Sequence, residues 1–392
     1  MASGPKNSRD ASAGPLVYLA VGEESGDALG AELVTAIRAI SPSARFAGLA
    51  GTRMQALGLE SLFDIHDIAV MGLAAVVARL PTLLSRISRT AADILRQKPD
   101  VVVLIDTPEF SQRVARRVRA ANPDIPIVKY VCPSVWGWRP GRARVLARYV
   151  DHVLALLPFE PALLAELGGP PATYVGHPVA RRIGALGPVS RRRPAAEPVL
   201  LVLPGSRRSV VRTLMPDIRR TLEIFHSRGN RARVLLPTIE RLAGEIGDLA
   251  ADWPVRPEIV TGEAEKENAF RIADAALAAS GTVLLELALY RVPMVSIYRL
   301  DWLMHRVRHL ITGWSAALPN LIADDAVVPE RIGDMVRPGW IARALEGLLR
   351  EGPARNAQLD GFERMALAMA TTEAPGTIAA RKVLEFAISG RA

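Results

Sequence analysis

The strongest constraint on this chain is a repeated alternation of short, continuous apolar runs with helical stretches. "LVYLAV" (16–21) and "DVVVLID" (100–106) are such runs in the first half, and "VLLVLP" (199–204) and "AALAAS" (275–280) in the second. Strands of a parallel sheet have this composition, because helices cover both faces of the sheet. The other predicted strands are 125–131, 151–157, 232–237, 257–262 and 293–298. The sequence therefore predicts an α/β protein built on parallel sheets.

Chain length and one interruption of this pattern predict two domains. The 392 residues are too many for one ordinary core. "GPVSRRRPAAEP" (187–198) is rich in Pro and Arg and has no periodicity, so it is the expected linker between domains 15–186 and 199–365. Residues 1–14 are polar and lack the apolar region of a signal peptide, so we expect a disordered tail there.

The net charge of +9 favours anionic partners, such as phosphorylated small molecules, anionic lipid or nucleic acid. An aromatic content of 5% and the lack of a known nucleic-acid-binding motif argue against nucleic acid. No apolar run reaches the roughly 18 residues that span a membrane. Cys132 is the single cysteine, so no internal disulfide is possible. We expect a cytoplasmic protein, or a peripheral one on the cytoplasmic face of a membrane.

An anion-binding turn is predicted in "LPGSRRSVV", where an apolar strand runs through Gly205, Ser206 and Arg207 into a helix. Backbone amides, the helix dipole and a guanidinium together favour a phosphate. The turn lacks the Lys-Ser/Thr pair of a P-loop, which argues against an ATPase. The chain also has no Asp-x-Asp motif, so we expect a diphosphate held without a dedicated metal.

A second anion-binding turn is predicted where Ser280, Gly281 and Thr282 follow a strand and open a helix. Glu286 lies about one helical turn further on. Its carboxylate either accepts the hydroxyls of a ribose or only interacts with the helix dipole.

In the first half, Asp106 follows a buried strand in "LIDTPEF". It is a candidate general base or, alternatively, the N-cap of the next helix. "VGEESGDALG" (21–30) is either a ligand-binding loop or a plain connection from strand to helix, since its glycines lack dinucleotide-binding spacing.

Trp136 and Trp138 flank Gly137 in a loop, where they either wall a sugar or lipid site or pack between domains. Downstream, residues 145–153 carry apolar side chains at helical spacing, which predicts one helical face.

An apolar stripe at helical spacing occupies residues 69–89 and is flanked by arginines. It is either part of the core or a surface that contacts a membrane. Its apolar members are Leu73, Val76, Val77, Leu80, Leu83 and Leu84.

Taken together, these stretches closely resemble the bacterial lipid-A-disaccharide synthases. The resemblance runs in the family's order from residue 16 to about 332. The matching segments include "GEESGDALGAELV", "ARFAGLAGTRMQALG", "DIAVMGL", "KPDVVVLIDTPEF", "YVCPSVWGWRPGR", "LALLPFEP", "YVGHPVA", "LPGSRRSVV", "DAALAASGTVLLELAL", "PMVSIYR" and "LPNLIADDAVVPE".

The resemblance implies a GT-B glycosyltransferase, with two Rossmann-like domains facing across a cleft, an inverting mechanism and no metal or other cofactor. It implies transfer of 2,3-diacylglucosamine from UDP to 2,3-diacylglucosamine 1-phosphate, which yields a β-1,6-linked disaccharide 1-phosphate. The last helix, about 366–392, would cross back to the first domain, and the protein would be a monomer or a homodimer.

The resemblance also implies roles for the candidate residues. Asp106 matches the proposed general base, and Arg207 would stabilise the charge of the departing UDP. Gly205, Ser206, Arg207, Ser280, Gly281, Thr282 and Glu286 would bind UDP. The apolar stripe matches a membrane- and acyl-contact patch. The implied sugar-binding residues are Glu23, Ser25, Gly26, Trp136, Trp138, Arg139 and Asn320.

This chain departs from the family pattern at Glu24, Thr107 and Gly137, where Ala is usual, and at Glu109, where Asp is usual. The alternatives are another GT-B enzyme of UDP-sugars, such as a lipid-linked N-acetylglucosaminyltransferase or a UDP-sugar 2-epimerase, and a non-catalytic two-domain binding protein.

Overall fold

A computed structural model shows two compact units. Unit 1 comprises Met1–Pro178 and Thr371–Ala392, and unit 2 comprises Val179–Ala370. The structure describes residues 14–68, 79–184, 197–299 and 313–390.

Unit 1 contains a parallel six-stranded sheet in the order β2-β1-β3-β4-β5-β6. Val17 lies opposite Val101, so β1 and β3 are neighbours although a strand and several helices separate them in the chain. The sheet order therefore reverses between these two strands. The strands are β1 (Leu16–Ala20), β2 (Arg45–Leu49), β3 (Val101–Ile105), β4 (Ile127–Tyr130), β5 (His152–Ala155) and β6 (Ala172–Tyr174).

Helices cover this sheet through regularly spaced apolar side chains. Leu29, Leu33 and Ile37 lie on the buried face of the first helix, as their spacing predicts. Pro81 lies in the first turn of the third helix, where a proline costs no hydrogen bond. The helices are α1 (Glu24–Ile40), α2 (Thr52–Ala56), α3 (Leu80–Gln97), α4 (Pro108–Ala121), α5 (Arg142–Leu146), α6 (Glu160–Glu166) and α7 (Pro178–Gly184), which lies at the unit boundary.

Unit 2 contains a second parallel sheet, in the order β12-β11-β10-β7-β8-β9. Numbered within the unit, this is the strand order of dinucleotide-binding folds, which reverses between β7 and β10. Its strands are β7 (Val199–Leu203), β8 (Arg233–Pro237), β9 (Glu258–Val260), β10 (Ala275–Ala279), β11 (Met294–Tyr298) and β12 (Glu330–Ile332). Its helices are α8 (Arg208–Ser227), α9 (Glu240–Leu249), α10 (Glu263–Ile272), α11 (Val283–Leu289), α12 (Leu318–Ala323), α13 (Pro338–Leu348) and α14 (Pro353–Ala368).

The last helix, α15 (Pro375–Ser389), belongs to unit 1. It packs against α1, and its Ala379, Ala380, Val383 and Leu384 are members of the unit 1 core. Helices α1 and α15 therefore contribute to the same core, although unit 2 lies between them in the sequence.

The predicted α/β class with parallel sheets is confirmed, and every predicted strand is present. Three strands were missed: β2, β6 and β12. All three lie at sheet edges, where a strand is partly exposed and needs no continuous apolar run. The single helical face predicted over 145–153 is wrong, because α5 ends at Leu146 and Val153 lies in β5.

Several predictions fall outside the described residues: nearly all of the tail 1–14, most of the linker 187–198, and Leu73, Val76 and Val77 of the apolar stripe. Within the described ranges, no helix combines the length and the apolar character needed to cross a membrane.

Candidate active site

A cavity of about 680 Å³ lies at the carboxyl ends of the unit 2 strands. Leu203, Pro237 and Ala279, the last residues of β7, β8 and β10, line it. Ligands of such sheets bind where the strand order reverses, and this volume is typical of a small-molecule site. The cavity brings together both predicted anion-binding turns: Gly205, Ser206, Arg207, Ser280, Gly281, Thr282 and Glu286 all line it.

The first turn has the backbone of an anion site. Gly205 has φ of 106°, a left-handed conformation that glycine adopts without strain. Arg207 precedes the 20-residue helix α8, and its side chain does not cap the helix. The first amides of α8 therefore have no cap from Arg207, and such amides attract anions.

Glu286 pairs with a lysine that was not predicted from the sequence. Lys266 of α10 lines the same cavity, and its Nζ lies 2.8 Å from Oε2 of Glu286. The predicted alternative, an interaction of Glu286 with the dipole of α11 alone, is therefore incomplete. Lys266 lies one turn beyond Gly262, which follows a strand, and that position was the available signal. The ammonium adds a second cation to the cavity that Arg207 lines.

In unit 1, Asp106 lies at the carboxyl end of β3, beside the loop that follows β1. Its Oδ2 is 3.4 Å from Oγ of Ser25, and a Cβ built on Gly26 would lie 3.6 Å from Asp106 Cβ. These two loops thus meet where the order of the unit 1 sheet reverses. The N-cap position of α4 is occupied by Thr107 and not by Asp106, so the helix-cap alternative does not describe Asp106.

The backbone around Asp106 is strained. Asp106, Thr107 and Val131 have φ of 52°, 43° and 77°, values that are uncommon for residues other than glycine and especially for β-branched ones. Gly22 packs so closely here that a Cβ would lie 2.3 Å from Oγ1 of Thr107. Strain of this kind concentrates at functional sites.

A buried lysine supports this turn. Lys129 of β4 is 1% exposed, and its Nζ donates to the backbone oxygens of Leu104 at 3.3 Å, Tyr130 at 3.4 Å and Asp106. Burial lowers the pKa of Lys129 to about 7. Lys129 was not among the residues predicted from the sequence, although a lone lysine inside the apolar run "IPIVKYV" was a signal.

Glu23, at the end of the same β1 loop, is held as a weaker acid than usual. Burial raises its pKa, and the nearby Asp106 carboxylate raises it further. A carboxyl group with a raised pKa beside a second carboxylate is typical of functional sites.

The tryptophan loop is anchored by a buried acid. Trp136 is half-buried, its ring meets that of Phe159 edge-on at 6.2 Å, and its indole hydrogen-bonds to Glu160. Burial raises the pKa of Glu160 to about 8. Trp138 is half-buried, and Arg139 is exposed with φ of 50°. Glu160 was missed, although it lies in the matched segment "LALLPFEP".

Asn320 is buried, and its amide holds the backbone of unit 2. Its Nδ2 donates to the Val328 oxygen at 2.9 Å and to Oγ of Ser315 at 3.2 Å, and its Oδ1 accepts from the Val328 amide at 2.6 Å. These hydrogen bonds engage the amide of Asn320 within the protein. The expected contact of Asn320 with a sugar stays a prediction.

The described part of the apolar stripe is partly exposed and partly packed on the core. Leu80 and Leu84 are exposed, whereas Leu83 packs against the unit 1 core. Leu83 therefore fits the core interpretation, and Leu80 and Leu84 remain candidates for a membrane contact. Among the described residues, no group of three or more His, Cys, Asp or Glu side chains is arranged to hold a metal ion.

Comparison with known proteins gives one family. A family model described as lipid-A-disaccharide synthetase matches residues 17–377. A lipid-A-disaccharide synthase from Rhodopseudomonas palustris strain BisB18 is 47% identical over 377 residues, which cover 94% of this chain and 94% of the relative.

Two solved structures show the fold. A putative UDP-N-acetylglucosamine 2-epimerase from Listeria monocytogenes has a TM-score of 0.59 at 14% identity, covering 95% of this chain and 96% of that one. MurG of Acinetobacter baumannii has a TM-score of 0.56 at 14% identity, covering 94% and 99%. These likenesses show the GT-B fold alone.

Proposed function

This chain belongs to the lipid-A-disaccharide synthase family and is a glycosyltransferase, and we propose that it joins UDP-2,3-diacylglucosamine to 2,3-diacylglucosamine 1-phosphate. The products are the β-1,6-linked disaccharide 1-phosphate and UDP. Membership of the family argues against the three alternatives, namely a UDP-sugar 2-epimerase, a lipid-linked N-acetylglucosaminyltransferase and a non-catalytic two-domain binding protein.

The observation that carries the proposal is the unit 2 cavity, where the turns at 205–207 and 280–282 meet Glu286. The amides of these turns and the Arg207 guanidinium hold the diphosphate of UDP. Glu286, oriented by Lys266, accepts the ribose hydroxyls. As UDP departs, negative charge grows on the diphosphate, and Arg207 and Lys266 stabilise it without a metal.

Asp106 is the proposed general base. Its carboxylate takes the proton of the acceptor 6-hydroxyl as that oxygen attacks C1 of the donor sugar, and the bond from C1 to UDP breaks. Attack from the face opposite UDP inverts the configuration and gives the β linkage. Ser25 and the three carbonyl contacts of Lys129 support the orientation of the Asp106 turn.

Both substrates carry acyl chains and partition into a bilayer. The protein therefore works, in this proposal, as a monomer or homodimer at the cytoplasmic face of the inner membrane. Exposed Leu80 and Leu84 beside Arg79 and Arg89 suit an anionic leaflet.

The test is incubation of the purified protein with both diacylated substrates in the presence of EDTA. We expect the disaccharide 1-phosphate, with its β-1,6 linkage identified by NMR. Product that forms only when a divalent cation is restored would refute metal independence, and no product under either condition would refute the substrate assignment.

A further inference from the structure

A second cavity, of about 640 Å³, lies in unit 1 at the carboxyl ends of β1 and β2. Its walls are largely polar, and the lining residues include Glu24, Arg53, Gln55, Ser61, Asp64 and His66. None of these was among the site residues predicted from the sequence. A volume of this size, lined by donors and acceptors, fits one sugar-sized polar ligand.

The floor of this cavity is held by a buried carboxylate. Asp27 is 2% exposed and accepts hydrogen bonds from the amides of Gly51 at 2.9 Å, Arg53 at 2.7 Å and Met54 at 3.2 Å. Gly51 fits so tightly that a Cβ there would lie 2.5 Å from Cγ of Asp27. The backbone that carries Arg53 is therefore fixed, and the charge of Asp27 is already satisfied by amides.

The cavity adjoins the proposed base. Gly26 contacts Asp106 and the next residue, Asp27, holds the cavity floor, so the first turn of α1 faces Asp106 on one side and the cavity on the other. Ser25, 3.4 Å from Asp106, neighbours the cavity-lining Glu24. The first turn of α1, which contacts Asp106 through Ser25 and Gly26, therefore also lines the cavity through Glu24 and Asp27.

The cavity also has a cation available for an anion. Nearby Arg86 pairs with Asp67 at 2.6 Å, whereas Arg53 forms no ion pair with any residue in the described ranges. A guanidinium binds a phosphate through two parallel hydrogen bonds, and hydroxyl, amide and carboxylate groups bind sugar hydroxyls. This set of groups matches a phosphorylated sugar.

We propose that the unit 1 cavity binds the sugar 1-phosphate of the acceptor, with Arg53 paired to the phosphate and His66 as a second donor. This inference rests on the proposed function. Glu24, Gln55 and Ser61 take ring hydroxyls, and the 6-hydroxyl extends towards Asp106. The cavity thereby selects a phosphorylated acceptor over its dephosphorylated form.

The experiment compares wild type and Arg53→Gln on two acceptors, 2,3-diacylglucosamine with and without its 1-phosphate, in neutral detergent micelles. For the phosphorylated acceptor, we expect Arg53→Gln to lower kcat/KM by about tenfold to a hundredfold, mainly through KM, as for a lost charged hydrogen bond. For the dephosphorylated acceptor and for KM of the UDP-sugar, we expect no change. Arg116→Gln, an exposed arginine of α4 outside both cavities, is the matched control.

An equal loss of kcat/KM on both acceptors would overturn the proposal, because Arg53 would then not read the phosphate. The same comparison is repeated with both acceptors in vesicles that contain phosphatidylglycerol. A loss that appears in these vesicles and not in the neutral micelles, whichever acceptor is used, would assign Arg53 to the bilayer phosphates and also overturn the proposal.

A binding measurement separates this proposal from the proposed function. Glucosamine 1-phosphate, which is soluble, is titrated against wild type and Arg53→Gln by NMR, with glucosamine as the control ligand. Weaker binding of the phosphorylated sugar alone to Arg53→Gln supports the site even if no disaccharide forms. Equal binding of glucosamine 1-phosphate to both proteins contradicts it.

Discussion

Asp106 has the geometry of a positioned base. Its left-handed backbone turns its carboxylate from the end of β3 towards Ser25, and its Oδ1 accepts from the Thr107 amide at 2.8 Å. Aspartate tolerates this conformation better than most residues. Lys129 donates a hydrogen bond to the backbone oxygen of Asp106, and Gly22 packs closely against Thr107.

Asp106→Asn keeps this shape but removes the base. We expect kcat to fall by roughly 10²- to 10⁴-fold, the usual contribution of a general base, while UDP binds with wild-type affinity in the unit 2 cavity. Turnover and calorimetric UDP titration test the two halves of this prediction. Near-normal turnover would remove Asp106 from the mechanism.

Thr107 carries two costs that alanine would not. Its Oγ1 is buried without a hydrogen-bond partner among the described residues, and a β-branched side chain is strained at φ of 43°. It provides no side-chain cap to α4, so none is lost. We expect Thr107→Ala to raise stability by up to about 1 kcal/mol, seen as a higher Tm. Thr107→Val replaces the hydroxyl with a methyl group and keeps the β-branch, so it separates the two costs. A lower Tm for both variants would contradict this account.

Lys129 should make stability depend on pH. Its pKa is about 7 in the folded protein against 10.5 ordinarily, so between these values the unfolded chain binds more protons than the folded chain. The free energy of unfolding therefore rises with pH across this window, and below it the cost of burying the ammonium is fully present.

In Lys129→Met this rise should be smaller, whatever the variant's stability at pH 7. Urea unfolding from about pH 7 to 10 measures the slope, with Lys382→Met, a partly exposed lysine of α15, as the control. Equal slopes in wild type and Lys129→Met would show that Lys129 does not titrate in this range.

At the scale of elements, α3 has one buried face and one exposed apolar face. Ile87, Ala91 and Ile94 are buried against the unit 1 sheet, whereas Leu80 and Leu84 project from the first turns into solvent. Exposed leucines beside arginines are costly in water and favourable at a bilayer surface.

We expect Leu80→Glu with Leu84→Glu to weaken binding to anionic liposomes at least tenfold and to leave Tm nearly unchanged, since neither side chain is in the core. Liposome co-sedimentation measures the loss. Leu249→Glu, at an exposed position of α9 in unit 2, is the control. Unchanged sedimentation of the double variant would assign these leucines no membrane role.

At the scale of the whole molecule, the helix α15 belongs to unit 1 although it follows unit 2 in the sequence. Val383 of α15 is fully buried in the unit 1 core, although unit 2 lies between it and β1 in the sequence. The UDP site proposed here lies wholly in unit 2. A destabilising substitution in α15 should therefore lower the stability of unit 1 without weakening nucleotide binding in unit 2.

Val383→Asp places a charge in the unit 1 core and should destabilise this unit by about 3 kcal/mol or more. We expect a lower Tm with UDP affinity retained. Ile388→Asp, on the same helix but 81% exposed, should behave like wild type. Loss of UDP binding in Val383→Asp at a temperature where unit 2 is folded would show that the units do not act separately.

Much of the fold and part of the site were predictable from local pattern. A strand buried on both faces must be continuously apolar, so the central strands and the parallel class could be predicted. Loops after such strands meet at one edge of the sheet, so the meeting of residues 205–207 with 280–286 could be predicted as well. Edge strands such as β2 escaped this logic, because they need no such run.

The sequence by itself determined which segments become strands and which loops carry candidate chemistry, because burial and backbone geometry leave local marks. Only the tertiary structure decided which polar side chains come together and what they contact. Lys266 reaches Glu286, Lys129 supports Asp106, and Arg53 shares a cavity with His66. These partners lie on different elements, and their contacts depend on sheet order and helix packing, which no local pattern encodes.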